Sequence, residues 1–271
     1  FKAQGFKESY FSSNQAYISK FDLQWNLIGS YAPKINGVTE PHIGILSRSG
    51  DFIWGGVIDL KDYRARKSNT RIIKIDPKSL RILEVFEFSS ISKYIDAFDV
   101  EGDEFWVGYK DFVKVYKLSD KQFHMVRSYR IHTGTPQGLR LTKDHMCIVG
   151  ESVTMKTRGF QNGIYCYNRN ELVEFQESVI ENLKVFIDVV VSSLNYRLNL
   201  NFLNFHVSSQ TNVPQNFWSF GFPTGNVDNE GFSFLSERDG IIWISDVNGN
   251  VARKIILDDF GISINDGGKS T

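Results

Sequence analysis

Five short segments of the chain carry a polar side chain at the head of an alternating apolar run. They are Gln4-Gly5-Phe6, Glu40-Pro41-His42-Ile43-Gly44-Ile45, Asp96-Ala97-Phe98-Asp99-Val100, Gln137-Gly138-Leu139-Arg140-Leu141 and Glu230-Gly231-Phe232-Ser233-Phe234. Brought together, the carboxylates of Glu40, Asp96 and Glu230, the amides of Gln4 and Gln137 and the imidazole of His42 make an oxygen-rich site. Such a site suits a hard divalent cation such as calcium, or orients a water molecule. The same polar groups can also do nothing more than satisfy hydrogen bonds around a water-filled channel. Each use requires the segments to converge, so the architecture decides.

The spacing of the segments is that of a repeat. With positions 5, 44, 98, 138 and 231 as equivalents, the intervals are 39, 54, 40 and 93 residues. Counting the last as two periods, the 226 residues spanned give a unit of about 45 and predict six units, one of them degenerate near 180–210. Each unit unfolds in the same order. After the leading run, the second unit shows 52–57, 71–76 and 81–86; the third shows 104–109, 112–116 and 123–129; the fourth shows 146–150, 163–167 and 172–175. The last shows 241–245 and 251–257, and the first shows 5–10, 15–21 and 25–31, its opening strand expected to close the ring against the C-terminal unit. Period-two alternation, β-branched and aromatic residues and punctuation by Gly, Asp, Asn and Ser all read as strand and hairpin. Helical periodicity is confined to 178–186.

A unit of this length with four antiparallel strands is the blade of a propeller, so the expected fold is all-β: a six-bladed β-propeller forming one domain over 1–271. In such a wheel the first strand of each blade lines the axis, and the polar leaders gather at one end. The tryptophans of the second strands, Trp54, Trp106 and Trp243, are expected to pack between blades.

Composition narrows the partners. The chain has 271 residues with 31 basic and 31 acidic side chains, and its isoelectric point is near 7.1. That balance argues against general nucleic-acid or anionic-membrane binding. A 41% hydrophobic, 14% aromatic composition can build a full core. No apolar run reaches the length of a membrane span, and the best candidate, 185–191, contains Asp188.

The runs QGF, PHIGIL, PQGLRL and NEGFSF, followed by FIWGG, MCIVGES or IIWISD and then by RIIKIDPKSLRIL or GIYCYN, resemble the superfamily of six-bladed propellers. Its members include gluconolactonase-like, phytase-like and esterase-like proteins. The likeness is one of fold pattern and covers most of the chain. It implies a divalent-metal-dependent hydrolase of lactonase or phosphoesterase type, with Glu40 and Glu230 as ligands, Asp96 as ligand or base and His42 moving a proton. Gln4 and Gln137 depart from that pattern, since an amide is a weaker, neutral ligand than a carboxylate. A third possibility is similarity to five-bladed glycosidases, with Glu230 as acid and Glu40 or Asp96 as base. The missing Pro after Asp96 and Glu230 weighs against it.

Other features favour binding. Lys61, Arg64, Arg66, Lys67 and Arg71 lie in one hairpin connection and offer contacts to phosphate or an acidic partner, or else simply solvate a loop. The segment 212–228, with Phe217, Trp218, Phe220 and Phe222, reads as an aromatic loop that covers a channel mouth, presents a partner surface or plugs a degenerate blade. His124, His132, His145 and His206 show no metal spacing, and no nucleophile elbow or nucleotide-binding Gly motif is present. Cys147 and Cys166 fall in successive strand-like runs, either as small buried apolar residues or as one cross-strand disulfide. The start at Phe1 favours a processed, exported protein. The preferred function is a binding module for a protein, peptide or glycan, held through Gln4, Gln137, Arg64, Arg66, Lys67 and Trp218, with the calcium-dependent hydrolase as its main rival.

Overall fold

The computed structural model describes residues 2–4, 16–22, 26–65, 70–88, 95, 97–109, 112–131, 136–150, 163–175 and 183, and then the strands at 217–221, 229–236, 241–246, 252–258 and 261–265. These residues form antiparallel sheets in chain order. The first sheet has three strands, β1 (Lys2–Gln4), β2 (Tyr17–Phe21) and β3 (Leu27–Tyr31), in that spatial order. The second has four, β4 (Pro41–Ser49), β5 (Phe52–Asp59), β6 (Thr70–Ile75) and β7 (Ile82–Glu87), with helix α1 (Leu60–Arg64) between β5 and β6. The third is β8 (Ala97–Glu101), β9 (Glu104–Tyr109), β10 (Phe112–Ser119) and β11 (Gln122–Arg130). The fourth is β12 (Pro136–Leu141), β13 (His145–Gly150), β14 (Gly163–Asn168) and β15 (Phe217–Gly221). The fifth is β16 (Asn229–Ser236), β17 (Ile241–Asp246), β18 (Ala252–Asp258) and β19 (Gly261–Asn265). Among the described residues no helix is long and apolar enough to cross a membrane.

By compactness the chain divides into two units, Phe1–Val107 with Tyr116–Met125, and Gly108–Val115 with Val126–Thr271. In the first unit, the second sheet is covered on both faces. Alternation sends successive side chains of a strand to opposite faces. On one face Ile43, Ile53, Val57, Ile73 and Ile75 form a core with Ala16 just before β2, Ile18 on β2 and Ile35 in the loop after β3. On the other, Ile45, Trp54, Ile72, Phe86 and Phe88 join Ile95, Phe98, Val100, Phe105, Val107 and Tyr116. Each such side chain contributes about 1.5–3 kcal/mol by leaving water.

Ile43 and Ile45 would share one face of a regular strand. A bulge between them places Ile43 opposite Val57 and Ile45 opposite Gly56, so each faces a different core. The aromatic rings then interlock edge to face. Trp54 meets Phe105 with centroids 4.9 Å apart at 89°, and Phe88 meets Tyr116 at 5.0 Å. Gly56 makes room for this approach, since a Cβ there would stand 3.2 Å from Cβ of Ile95. Trp54 and Trp106 are buried as the second-strand position predicts; the side chain of Trp243, on β17, lies outside the described residues.

Some expectations are corrected, and others fall outside the described residues. The fourth strand of the fourth sheet is Phe217–Gly221, which pairs with β14 and carries Trp218 opposite Cys166, and not the segment 172–175. That segment instead bridges to the edge of β11, through Tyr129 opposite Glu174 and a bond from Phe175 N to the Ser128 carbonyl at 2.7 Å. Trp218 is therefore a strand residue and not part of an aromatic loop. The sixth repeat near 180–210 lies outside the described residues, and in chain order it falls inside the connection from β14 to β15. The C-terminal sheet draws all four of its strands from 229–265. The predicted first strand at 5–10 lies outside the described residues; β1 stands at 2–4. The described α-helix is α1, whereas 178–186 lies outside the described residues except for Leu183. Cys147 and Cys166, directly opposed on β13 and β14 with Cα atoms 4.0 Å apart, form a disulfide.

Candidate functional site at one end of the second sheet

The start of β4, the end of β5, the start of β6 and the end of β7 lie at one end of the second sheet. The register that sets Pro41 opposite Asp59 brings the Thr39-Glu40 turn against the head of α1. Asp59 caps that helix, its carboxylate accepting from Lys61 N at 3.0 Å. The same carboxylate accepts from Thr39 N at 2.5 Å and from Glu40 N at 3.2 Å, while Leu60 N donates to the Glu40 carbonyl at 2.9 Å. Burial alone would raise the Asp59 pKa. The backbone N–H groups of Thr39, Lys61, Glu40 and Asp62 outweigh it and hold the carboxyl below the usual range.

With its backbone clamped in this way, Glu40 points its carboxylate to the guanidinium of Arg64, at the far end of α1, and the two form an ion pair. Neither side chain stands alone. His42, two residues on, is half-buried on β4 opposite Ile58, and desolvation pushes its pKa down to about 4. The ring is neutral at pH 7, and it titrates well below the neutral range in which a proton relay would use it. One row along the ladder, Arg71 on β6 donates from Nε to Oε1 of Glu87 on β7 at 2.8 Å. Deeper in the sheet, the hydroxyl of Ser47 on β4 donates to the carboxylate of Asp99 on β8, which also accepts from Val100 N at 3.0 Å. This buried pair ties two adjacent first strands together.

The predicted leaders fall where chain order allows. Glu40 directly precedes β4, and Gln137 and Glu230 are the second residues of β12 and β16. Gln4 ends β1 and does not lead it. The side chains of Gln4, Gln137, Trp218 and Glu230 lie outside the described residues, as do Asp96, Arg66 and Lys67 altogether. Of the proposed site residues, the structure therefore pairs Glu40 with Arg64 in the first unit, and His42 follows Glu40 by two residues on β4. Sequence reasoning missed the helix-capping role of Asp59, the Arg71–Glu87 pair and the Ser47–Asp99 pair. Asp59 had a signal, an acidic residue at the end of an apolar strand ahead of a helix-forming pentapeptide. A divalent cation at Glu40 would meet the positive charge of Arg64, so the described residues do not fit calcium there. No group of three or more His, Cys, Asp or Glu suited to a metal ion occurs among the described residues.

No family model matches the chain, and no curated protein matches it by sequence. Solved structures do. Glutaminyl cyclase of Myxococcus xanthus is similar with a TM-score of 0.52 at 6% identity, covering 93% of this chain and 84% of that one. U3-55K is similar at 0.46 and 10% identity over 93% and 77%, and Hsv2 of Kluyveromyces lactis at 0.42 and 12% identity over 93% and 68%. At these identities the likeness concerns fold alone. The likeness to the glutaminyl cyclase, together with successive four-stranded antiparallel sheets and almost no helix among the described residues, is compatible with a β-propeller-like fold.

Proposed function

We propose that the chain is a binding module of the propeller class, exported to an oxidising compartment, which takes a protein, peptide or glycan partner at the polar end of its second sheet. The observation that carries this is the Glu40–Arg64 pair. A carboxylate held by a guanidinium is a poor metal ligand and a poor base, yet both partners remain reachable from solvent, Arg64 with 56% of its side chain exposed. Exchange of this pair for a partner's own charged groups costs little and confers selectivity. The Cys147–Cys166 disulfide supports an oxidising location.

Peptide and glycan arrays screened with the full chain provide the test. The expected result is a saturable ligand whose affinity falls about tenfold in Arg64→Ala, the loss of one charge-assisted contact. Turnover of a lactone or phosphoester that Glu40→Gln abolishes, with no ligand sensitive to Arg64, would replace this reading with the hydrolase.

A further inference from the structure

Arg71 is a buried cation with an incomplete set of partners. Only 8% of its side chain is exposed, and among the described residues its charge is met by one contact, Nε to Oε1 of Glu87, a carboxylate that is itself 64% exposed. Its Nη1 is buried without a hydrogen-bond partner. A guanidinium does not shed its charge in proteins and presents its N–H groups as a planar fork matched to two oxygens. Here the fork is engaged on Nε alone, and a buried N–H left unmet is costly. The surroundings explain why the group is held so firmly. Arg71 lies opposite Val57, in the row of β4 to β7 that also holds Ile43, so an apolar core flanks it. Gly37, at φ 74°, passes over it, with Nη2 3.7 Å from where a Cβ on that residue would stand.

We infer that Arg71 is a receptor for an oxyanion, a phosphoryl or carboxylate group, and that Glu87 is a tethered stand-in which such a ligand displaces. The exposed Glu87 side chain marks the route of entry, because its departure uncovers the edge of the guanidinium that it now occupies. An incoming anion with two or three oxygens reaches more of the fork than one carboxylate oxygen does, and bidentate contacts of this kind are the strong ones. The inference rests on the burial of Arg71 and on its unmet Nη1. It does not use the Glu40–Arg64 pair, so either proposal can fail without the other.

The test is a melting titration of the full chain with inorganic phosphate and, separately, with acetate, each against sodium chloride at matched ionic strength. A ligand that binds only the folded state raises the melting temperature saturably. The wild-type protein is expected to respond to at least one anion, and Glu87→Gln, which removes the competitor from an exposed position, to bind that anion about tenfold more tightly. Arg71→Gln is expected to lose the response. A response to phosphate alone assigns a phosphoryl ligand, one to acetate alone assigns a carboxylate, and one to both assigns the shared oxyanion chemistry. Should Arg71→Gln fail to fold, Glu87→Gln still decides. If that variant melts at a temperature unmoved by either anion, or binds no more tightly than wild type, the proposal is overturned.

Discussion

The second sheet is held differently along its flank and at its end. Along the flank facing β8 to β11, rings interlock: Trp54 on Phe105, Phe105 on Phe123 at 5.0 Å, and Phe88 on Tyr116. At the end that carries Glu40 and Arg71, polar side chains bond to backbone and to one another, with Asp59 at the centre of the Thr39–Glu40 turn and Arg71 left with one N–H unmet among the described residues. Apolar contact is non-directional and adds up over area, so the flank gains from every ring it buries. Polar contact is worth little net but costly when broken, so the end is defined by which partners are present. The contrast separates what stabilises the fold from what can change partners.

The difference can be broken from the apolar side first. Phe105→Ala, which removes a ring meeting both Trp54 and Phe123, is expected to cost about 3–5 kcal/mol in equilibrium denaturation. A loss under about 1 kcal/mol would mean that the flank is not a close-packed core. At the polar end, Asp59→Ala orphans several backbone donors at once and uncaps α1. About 2–4 kcal/mol of destabilisation is expected, with faster amide exchange at Thr39 and Lys61.

His42 sharpens the comparison through pH. Its folded pKa of about 4 lies below the ordinary value of 6.5, so the unfolded chain binds the extra proton first. Its contribution is present above pH 6.5 and is lost as pH falls toward 4. Urea melts between about pH 7 and 4.5 should lose about 2 kcal/mol from this source, and His42→Gln should flatten that part of the profile. An unchanged profile in the variant would place the imidazole in water. Gly56→Ala pushes a methyl group against Ile95 and is expected to cost about 1–2 kcal/mol. Smallest of all, Glu40→Gln is expected to cost under about 1 kcal/mol, because Arg64 is largely in solvent.

What could be read from the chain followed the same division. The run Glu104-Phe105-Trp106-Val107-Gly108-Tyr109 gives β9 with its boundaries, since alternating apolar residues between turn signals depend only on local order. β15 was hidden for the opposite reason. Phe217–Gly221 sits among Pro, Asn and Gly and pairs with a strand that ends at Asn168, far back in the chain, so only tertiary pairing makes it a strand. Helix α1 is too short for helical periodicity to show. Glu40 and Arg64 were each visible as candidates, one for a metal ring and one for a basic hairpin. Their pairing depends on the β4–β5 register and on α1, and neither is a local signal.

The central claim is that Glu40 is paired with Arg64 and, as proposed, serves partner binding and not a metal. Thermal melting of the full chain in calcium and in EDTA, compared with Glu40→Gln, tests it most directly. The account predicts that neither reagent moves the melting temperature of the wild type beyond the effect of matched ionic strength. A saturable calcium stabilisation that EDTA reverses and Glu40→Gln abolishes would contradict it.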